Sequence, residues 1–320
     1  MCVGFWSLTH PKYALILCNN RDEYLSRPTA PAHLHSFGNN CAQDSGDGSI
    51  LSGRDLLAGG TWAGISRTGR VALLTNITEP LRKYSSSRGS LTSTFLLPKL
   101  PSATLQDEID EIVSQNVKYA GFNMLLLTPP PCTADVGERE RPLSLDAAFV
   151  TNSGGGGTIT ARMLSDEERR CGGMSNGVDH HGASEWPKVK HGIQALNEVL
   201  NSLPQDISDS DLAERLFTLL TWKSDSAPLG RAELRNTIQV EPMLIPMIES
   251  PDAASSTYYG TRLSTVILIR KNGNVLYIER DIWMLDSTGR VTKGDTNHDR
   301  VFHFQIEKSV TVDEDARTTA

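Results

Sequence analysis

Four apolar runs constrain this chain more than any other feature: Ala14–Cys18 (ALILC), Val71–Leu74 (VALL), Met124–Leu127 (MLLL) and Thr265–Ile269 (TVILI). Each has the length of a strand, and none alternates apolar with polar residues. A strand with one face in water alternates, so a strand apolar on both faces must lie between two covering layers. The order of elements narrows the choice further. Strands come first, helices gather in the middle, and strands return at the end. A doubly wound parallel sheet needs strands and helices to alternate, and here they do not. Two antiparallel sheets packed face to face, with helices outside both, satisfy the pattern: an α+β chain forming a four-layer αββα sandwich.

The reading along the chain runs as follows. Val3–Leu8 and Tyr13–Cys18 are strands around a turn at Thr9–Lys12, and NRDEYLSRP is a polar loop closed by Pro28. Residues 29–58 are rich in Gly, Asn, Asp and Ser and read as loop. Thr61–Ser66 and Arg70–Asn76 make a hairpin about Thr68-Gly69, and Arg88–Leu97 and Leu105–Asn116 carry helical spacing. Phe122–Thr128 is a buried strand, 129–146 an inserted loop, and Ala147–Asn152 and Thr158–Leu164 are strands joined by a glycine run. The clearest helix starts near Ser184–Pro187, with Val189, Ile193, Leu196, Leu200 and Leu203 on one stripe. Another covers Asp211–Trp222. Leu263–Ile269 and Val275–Arg280 flank Asn272-Gly273, the strongest hairpin signal present. Residues 1–306 are expected to form one domain, and the polar, acidic residues 307–320 a disordered tail.

At 320 residues the chain can bury roughly three quarters of its unfolded surface. A net charge of −7 argues against nucleic acid as the ligand, because phosphate binding needs a basic face. The five cysteines are odd in number, widely spaced and lack a C-x-x-C pair, which supports neither a disulfide framework nor a zinc ribbon and suits a reducing compartment such as the cytoplasm. No apolar run is long enough to span a bilayer, so any membrane contact is expected to be transient.

Several residues could carry chemistry. Cys2 follows the start methionine. Trimming of Met1 would leave a thiol and an α-amine on one residue, the amine serving as base for its own thiol; the bland alternative is a strand cysteine packing as a small hydrophobe. Arg21, Asp22 and Glu23 end an apolar strand, where they are either a solvated turn or partners for an ammonium and a thiolate. Asn76 and Asn176 stand at the ends of apolar stretches and could donate to an oxyanion, though Asn is also a common strand-end residue. Arg262 precedes a buried strand and must be paired or solvated. Trp62 either packs in the core or faces a ligand. The glycine run at 154–157 lacks the Lys-Ser/Thr of a phosphate loop, and His180 and His181 match no usual metal spacing, so no metal site is expected.

Taken in order, the stretches MCVGF, NNRDEYLSRP, GGTWAGIS, ALLTN, SRG, GFNMLLL, GMSNG, EWPKVKHG, VEPM and YGTRLSTVILI with IER resemble one family over nearly the whole chain. This is the NRDE-motif family named for transport and Golgi organisation. The resemblance implies the fold of N-terminal-nucleophile hydrolases, nearest in pattern to the choloylglycine hydrolase and penicillin V acylase branch. It implies Cys2 as nucleophile, Arg21 and Asp22 as the charged pair, Asn76 and Asn176 as the two asparagines, and Arg262 as the late arginine. Either Asp22 or Glu23 would partner the amine. Glu23, Trp62 and Tyr259 are the expected ligand contacts. The family's associations also imply a role in secretory-pathway organisation, lipid metabolism or haem trafficking, with a place beside Golgi or mitochondria. Two rival functions follow. One is a carrier of haem or an acyl-CoA-like lipid, for which a haem ligand would be His33, His35, Cys2 or His191 and no cofactor is otherwise required. The other is a cysteine amidohydrolase or thioesterase.

Overall fold

The structure, a computed structural model, describes residues 1–37, 48–80, 82–99, 102–131, 141–246 and 256–307. Two seven-stranded antiparallel sheets dominate it. The first runs in the order β10 (Gly172–Met174), β1 (Val3–Ser7), β2 (Tyr13–Tyr24), β12 (Ser256–Arg270), β13 (Asn274–Asp281) and β16 (Arg300–Gln305), with β11 (Met243–Pro246) also paired to β12. The second runs in chain order from β3 (Thr29–His35) and β4 (Ile50–Asp55) through β5 (Ala63–Ser66), β6 (Val71–Asn76) and β7 (Phe122–Thr128) to β8 (Asp146–Thr151) and β9 (Thr160–Met163). Strands β14 (Trp283–Leu285) and β15 (Val291–Lys293) form a small separate hairpin.

The two-sided apolar strands are explained by their alternation. Leu15 and Leu17 of β2 point between the sheets, among Trp6, Leu73, Leu125, Phe149, Leu263 and Tyr277. Ile16 and Cys18 point outward, against α4 (Pro187–Asn201) and α5 (Asp209–Leu220) through Leu196, Leu212 and Leu216. On the far side, Ala72 and Leu74 of β6 and Leu126 of β7 face α1 (Arg88–Leu96) and α2 (Leu105–Ser114) through Leu91, Phe95 and Ile109. The helix, sheet, sheet, helix layering expected from the sequence is what the chain forms. A fully buried leucine contributes about 1.5–3 kcal/mol by leaving water, so three such clusters hold the layers.

Three local expectations need correction. NRDEY does not leave the strand as a loop: β2 continues to Tyr24, because its polar end pairs with β12 as far as Tyr24 opposite Tyr259. Residues 29–58 hold strands β3 and β4, paired to each other, despite their Gly, Asn and Ser content. Cross-strand pairing and burial override propensity there. The strand expected at Leu263 starts at Ser256. The Asn272-Gly273 turn is confirmed, with Gly273 at φ +88. Part of the 129–146 insertion and most of the tail lie outside the described residues.

Candidate active site

Alternation along β1 and β2 decides which side chains can meet. Gly4 and Trp6 lie on the face between the sheets, whereas Val3 and Phe5 join the outer, helix-covered cluster. Cys2 therefore belongs to the inter-sheet face and Met1 to the outer one. On β2, which pairs Val3 with Asn20, the same parity puts Arg21 on the face of Cys2 and Asp22 on the face of Met1. Asn20, also outward, is structural: its carboxamide donates to the carbonyls of Leu220 (2.9 Å) and Ile238 (3.1 Å) and accepts from Ser264 (2.6 Å).

A β-bulge lets β12 serve both faces. Thr261 pairs with Asp22 and Leu263 with Arg21, so Arg262 is the extra residue. In a regular strand Thr261 and Leu263 would share a face. Here the Thr261 hydroxyl donates to Asp22 Oδ1 at 2.6 Å while Leu263 fills the core between the sheets.

A cleft of about 330 Å³ opens at this end of the sandwich. Its lining includes Cys2, Arg21, Asp22, Glu23, Trp62, Asn76, Asn176 and Tyr259. Eight of the expected residues thus converge. Arg262 does not line the cleft. Its guanidinium donates to the carbonyls of Tyr24 and Arg27 and, at 3.1 Å, to Thr29 Oγ1. Arg21 Nη1 reaches that same hydroxyl at 3.1 Å, so Arg262 stands directly behind Arg21 and fixes the turn after β2. Burial, and then the neighbouring charge of Arg21, bring its pKa down to about 10.

The half-buried Cys2 thiol donates to the Asp22 carbonyl at 3.7 Å. Burial is the largest influence on it and pushes its pKa up; the α-ammonium opposes this most, and Arg21 opposes it only slightly. The arginine is therefore not what would make a thiolate here. Arg21 is instead stacked 4.0 Å over the Trp62 ring, which fixes both side chains as one wall of the cleft.

Of the two acidic candidates, Asp22 partners the chain's amine. Met1 N lies 3.0 Å from Asp22 Oδ2 and donates to Tyr259 Oη at 2.5 Å; Tyr259 in turn donates to the Asp22 carbonyl at 3.1 Å. Glu23 turns to the Tyr24 backbone N–H at 2.8 Å and to Arg27 at 3.8 Å. Burial lowers the pKa of the amine, with Asp22 the main opposing charge. The asparagines divide their work. Asn176 donates to the Asn76 backbone carbonyl and accepts from Ser175 Oγ, which also donates to the Cys2 carbonyl at 2.7 Å. Asn76 itself lines the cleft. The named histidines lie elsewhere. His35 is bonded to Ser52 and stacked near His33, and His191 lies flat on Trp222 at 3.9 Å.

Sequence reasoning missed Lys188. It is fully buried at the start of α4, and its ammonium donates to the Met1 carbonyl at 2.5 Å. Burial brings its pKa down to about 8, against the charges of Asp22 and Cys2. A signal was present: Lys188, Gly192 and Leu196 are spaced four apart and share the buried face of the helix. A lysine on such a stripe must find a polar partner inside.

The model of the family "Transport and Golgi organisation 2" matches residues 1–284, and the chain belongs to that family. The human transport and Golgi organization protein 2 homolog is 30% identical, with 88% of this chain and 93% of that protein covered. The mouse homolog is 29% identical, covering 89% and 94%, and the Drosophila melanogaster protein 24%, covering 92% and 96%. Among solved structures, a Caenorhabditis elegans ortholog of N-acylethanolamine-hydrolyzing acid amidase is similar at TM-score 0.46 and 10% identity, covering 83% of this chain and 92% of that one. A mutant conjugated bile acid hydrolase from Clostridium perfringens is similar at TM-score 0.46 and 8% identity, covering 97% and 99%.

Proposed function

We propose that the cleft is the acyl-group site of a cysteine hydrolase that cleaves an amide or thioester once Met1 has been removed. One observation carries this reading: Cys2, Asn76 and the buried carboxylate Asp22 that holds the chain's terminal amine, at present that of Met1, line the same cleft. With Met1 gone, Cys2 carries the α-amine, and that amine takes the thiol proton. Sulfur then attacks the carbonyl carbon, and the carboxamide of Asn76 donates to the developing oxyanion. The C–N or C–S bond breaks, the leaving group takes the proton from the ammonium, and water hydrolyses the acyl-cysteine to restore the thiol. Asn176 acts through the backbone it holds, and Arg21 through Trp62.

A second reading is favoured by the chain with Met1 in place. Its amine and carbonyl are both engaged, so no base is free, and the cleft is lined by Arg21, Arg27, Arg82, Arg88 and Arg231 beside the carboxylates of Asp22, Glu23, Asp55 and Glu79. That form suits a carrier of an anionic acyl ligand such as an acyl-CoA. Of the four ligands expected for haem, Cys2 is among the residues that line the cleft. Either acyl role fits a family named for transport and Golgi organisation, because acyl chains are the material of membranes.

The test is direct. Intact mass sorts purified protein into forms with and without Met1, and each is assayed with octanoyl-CoA and N-octanoyl-methylamine. Turnover by the Met1-free form, lost in Cys2→Ala, is expected. Binding of octanoyl-CoA by both forms with turnover by neither would replace the hydrolase with the carrier.

A further inference from the structure

Met1 is held as a ligand would be held. Its side chain is 8% exposed and packs with Leu234, Val240, Ile245 and Tyr259. Its sulfur accepts from Thr78 Oγ1 at 2.9 Å. Its ammonium meets Asp22 and Tyr259, and its carbonyl oxygen meets Lys188. Every feature that makes methionine an α-amino acid therefore has a buried partner. Removal of Met1 takes from Lys188, 0% exposed, the one hydrogen-bond acceptor it has among the described residues, and leaves an apolar recess on the cleft that Leu234 and Tyr259 also line. A buried ammonium left in that state is costly, and a carboxylate is the partner that would relieve it.

We propose that the seat vacated by Met1 is a subsite for an apolar L-α-amino acid, so that the substrate is an N-acyl amino acid whose carboxylate is read by Lys188. This rests on the hydrolase reading above for its catalytic half. A chain of contacts also joins the seat to the sulfur. The Met1 nitrogen touches Tyr259 Oη at 2.5 Å, that oxygen lies 3.1 Å from the Asp22 carbonyl, and that carbonyl accepts from Cys2 Sγ at 3.7 Å. An acyl group on an amino acid nitrogen seated there opens on the cleft that Cys2 and Trp62 also line. Sulfur bonds to that carbon, the C–N bond breaks, and the nitrogen takes a proton from the Cys2 ammonium. The amino acid leaves, and water cleaves the thioester to release the fatty acid and the thiol. Asp22 is by then paired with the Cys2 ammonium, so an acylated, uncharged nitrogen suits the seat better than a second ammonium.

The experiment uses full-length Met1-free protein, verified by intact mass. Rates are measured on N-octanoyl-L-methionine, its D enantiomer and N-octanoyl-methylamine, and binding of N-octanoyl-L-methionine is measured by calorimetry. The expected result is a kcat/KM for the L compound at least about tenfold above the other two, with Lys188→Met removing that preference through KM. The wild-type comparison needs no variant, so a poorly folding Lys188→Met does not decide the matter. Equal cleavage of all three overturns the amino acid subsite and leaves the hydrolase. Calorimetric binding by the Met1-free form but not the Met1-retaining form, without cleavage of any amide, keeps the subsite and overturns the hydrolase. The absence of both binding and preference overturns the proposal.

Discussion

Single residues set the electrostatics of this site. Asp22 neutralises a buried ammonium at 3.0 Å, so Asp22→Asn leaves that charge without its counter-ion. Breaking a buried pair from one side costs about 3–5 kcal/mol, and urea unfolding of the Met1-retaining form should show a loss of that order. Lys188 gives a pH signature. Its pKa falls from 10.5 to about 8 in the folded chain, so above about pH 8 the unfolded chain holds a proton that the folded chain has released. Stability gains from this group as pH rises through that window, and below it both states are protonated and nothing changes. The urea midpoint of wild type relative to Lys188→Met should therefore climb between about pH 8 and about pH 10; an unchanged difference would place the ammonium in solvent. Cys2, Arg21, Asp22, Asn76 and Asn176, which line one cleft, were singled out by the ordered set of motifs and the resemblance it carries, since each residue alone is an ordinary strand-end group. Lys188 was missed although its four-residue spacing with Gly192 and Leu196 marked it, because Val189 and Ile193 carry the helical stripe and draw the eye to the adjacent face.

At the level of elements, α4 shows how closely the helical layer sits on the sheet. A methyl at Gly192 would lie 1.9 Å from the Phe5 ring, and the helix axis at this point is set by that contact. Gly192→Ala is favourable for helix propensity but overpacks the interface, so it should destabilise by about 1–3 kcal/mol, measured by thermal or urea unfolding. Because Lys188 lies one turn earlier, the same variant should also displace the Met1 seat and lower any activity of the site. The helix itself was legible from its 3.6-residue period. Strands β3 and β4 were not, because their partner is the other strand across some fifteen intervening positions rather than a local alternation, and polar residues such as His35 and Ser52 satisfy each other inside at 2.9 Å. The bulge at Arg262 was also invisible, since a one-residue slip leaves no mark in composition.

Across the whole molecule, the two ends of the chain build one sheet. β2 pairs with β12 from Tyr24 opposite Tyr259 to Tyr13 opposite Arg270, so the strand that carries Arg21 and Asp22 has a late strand as its neighbour. A chain ending at residue 246 keeps the cysteine, the charged pair and both asparagines, yet it exposes the inner edge of β2 and removes Thr261 and Tyr259 from the site. It should show no cooperative melting transition by circular dichroism, and a cooperative melt would mean that the second sheet and its helices are self-sufficient. The layered class followed from the apolar runs alone, whereas the order of strands depends on long-range pairing that no local window contains. The burial of the first residue has a consequence in time. An exopeptidase can reach Met1 only while β1 is still an open thread, before β12 has been synthesised and the sheet has closed over the terminus. On the hydrolase reading proposed above, whether a given copy carries a free nucleophile or a plugged cleft is then settled at the ribosome, by a race between trimming and closure.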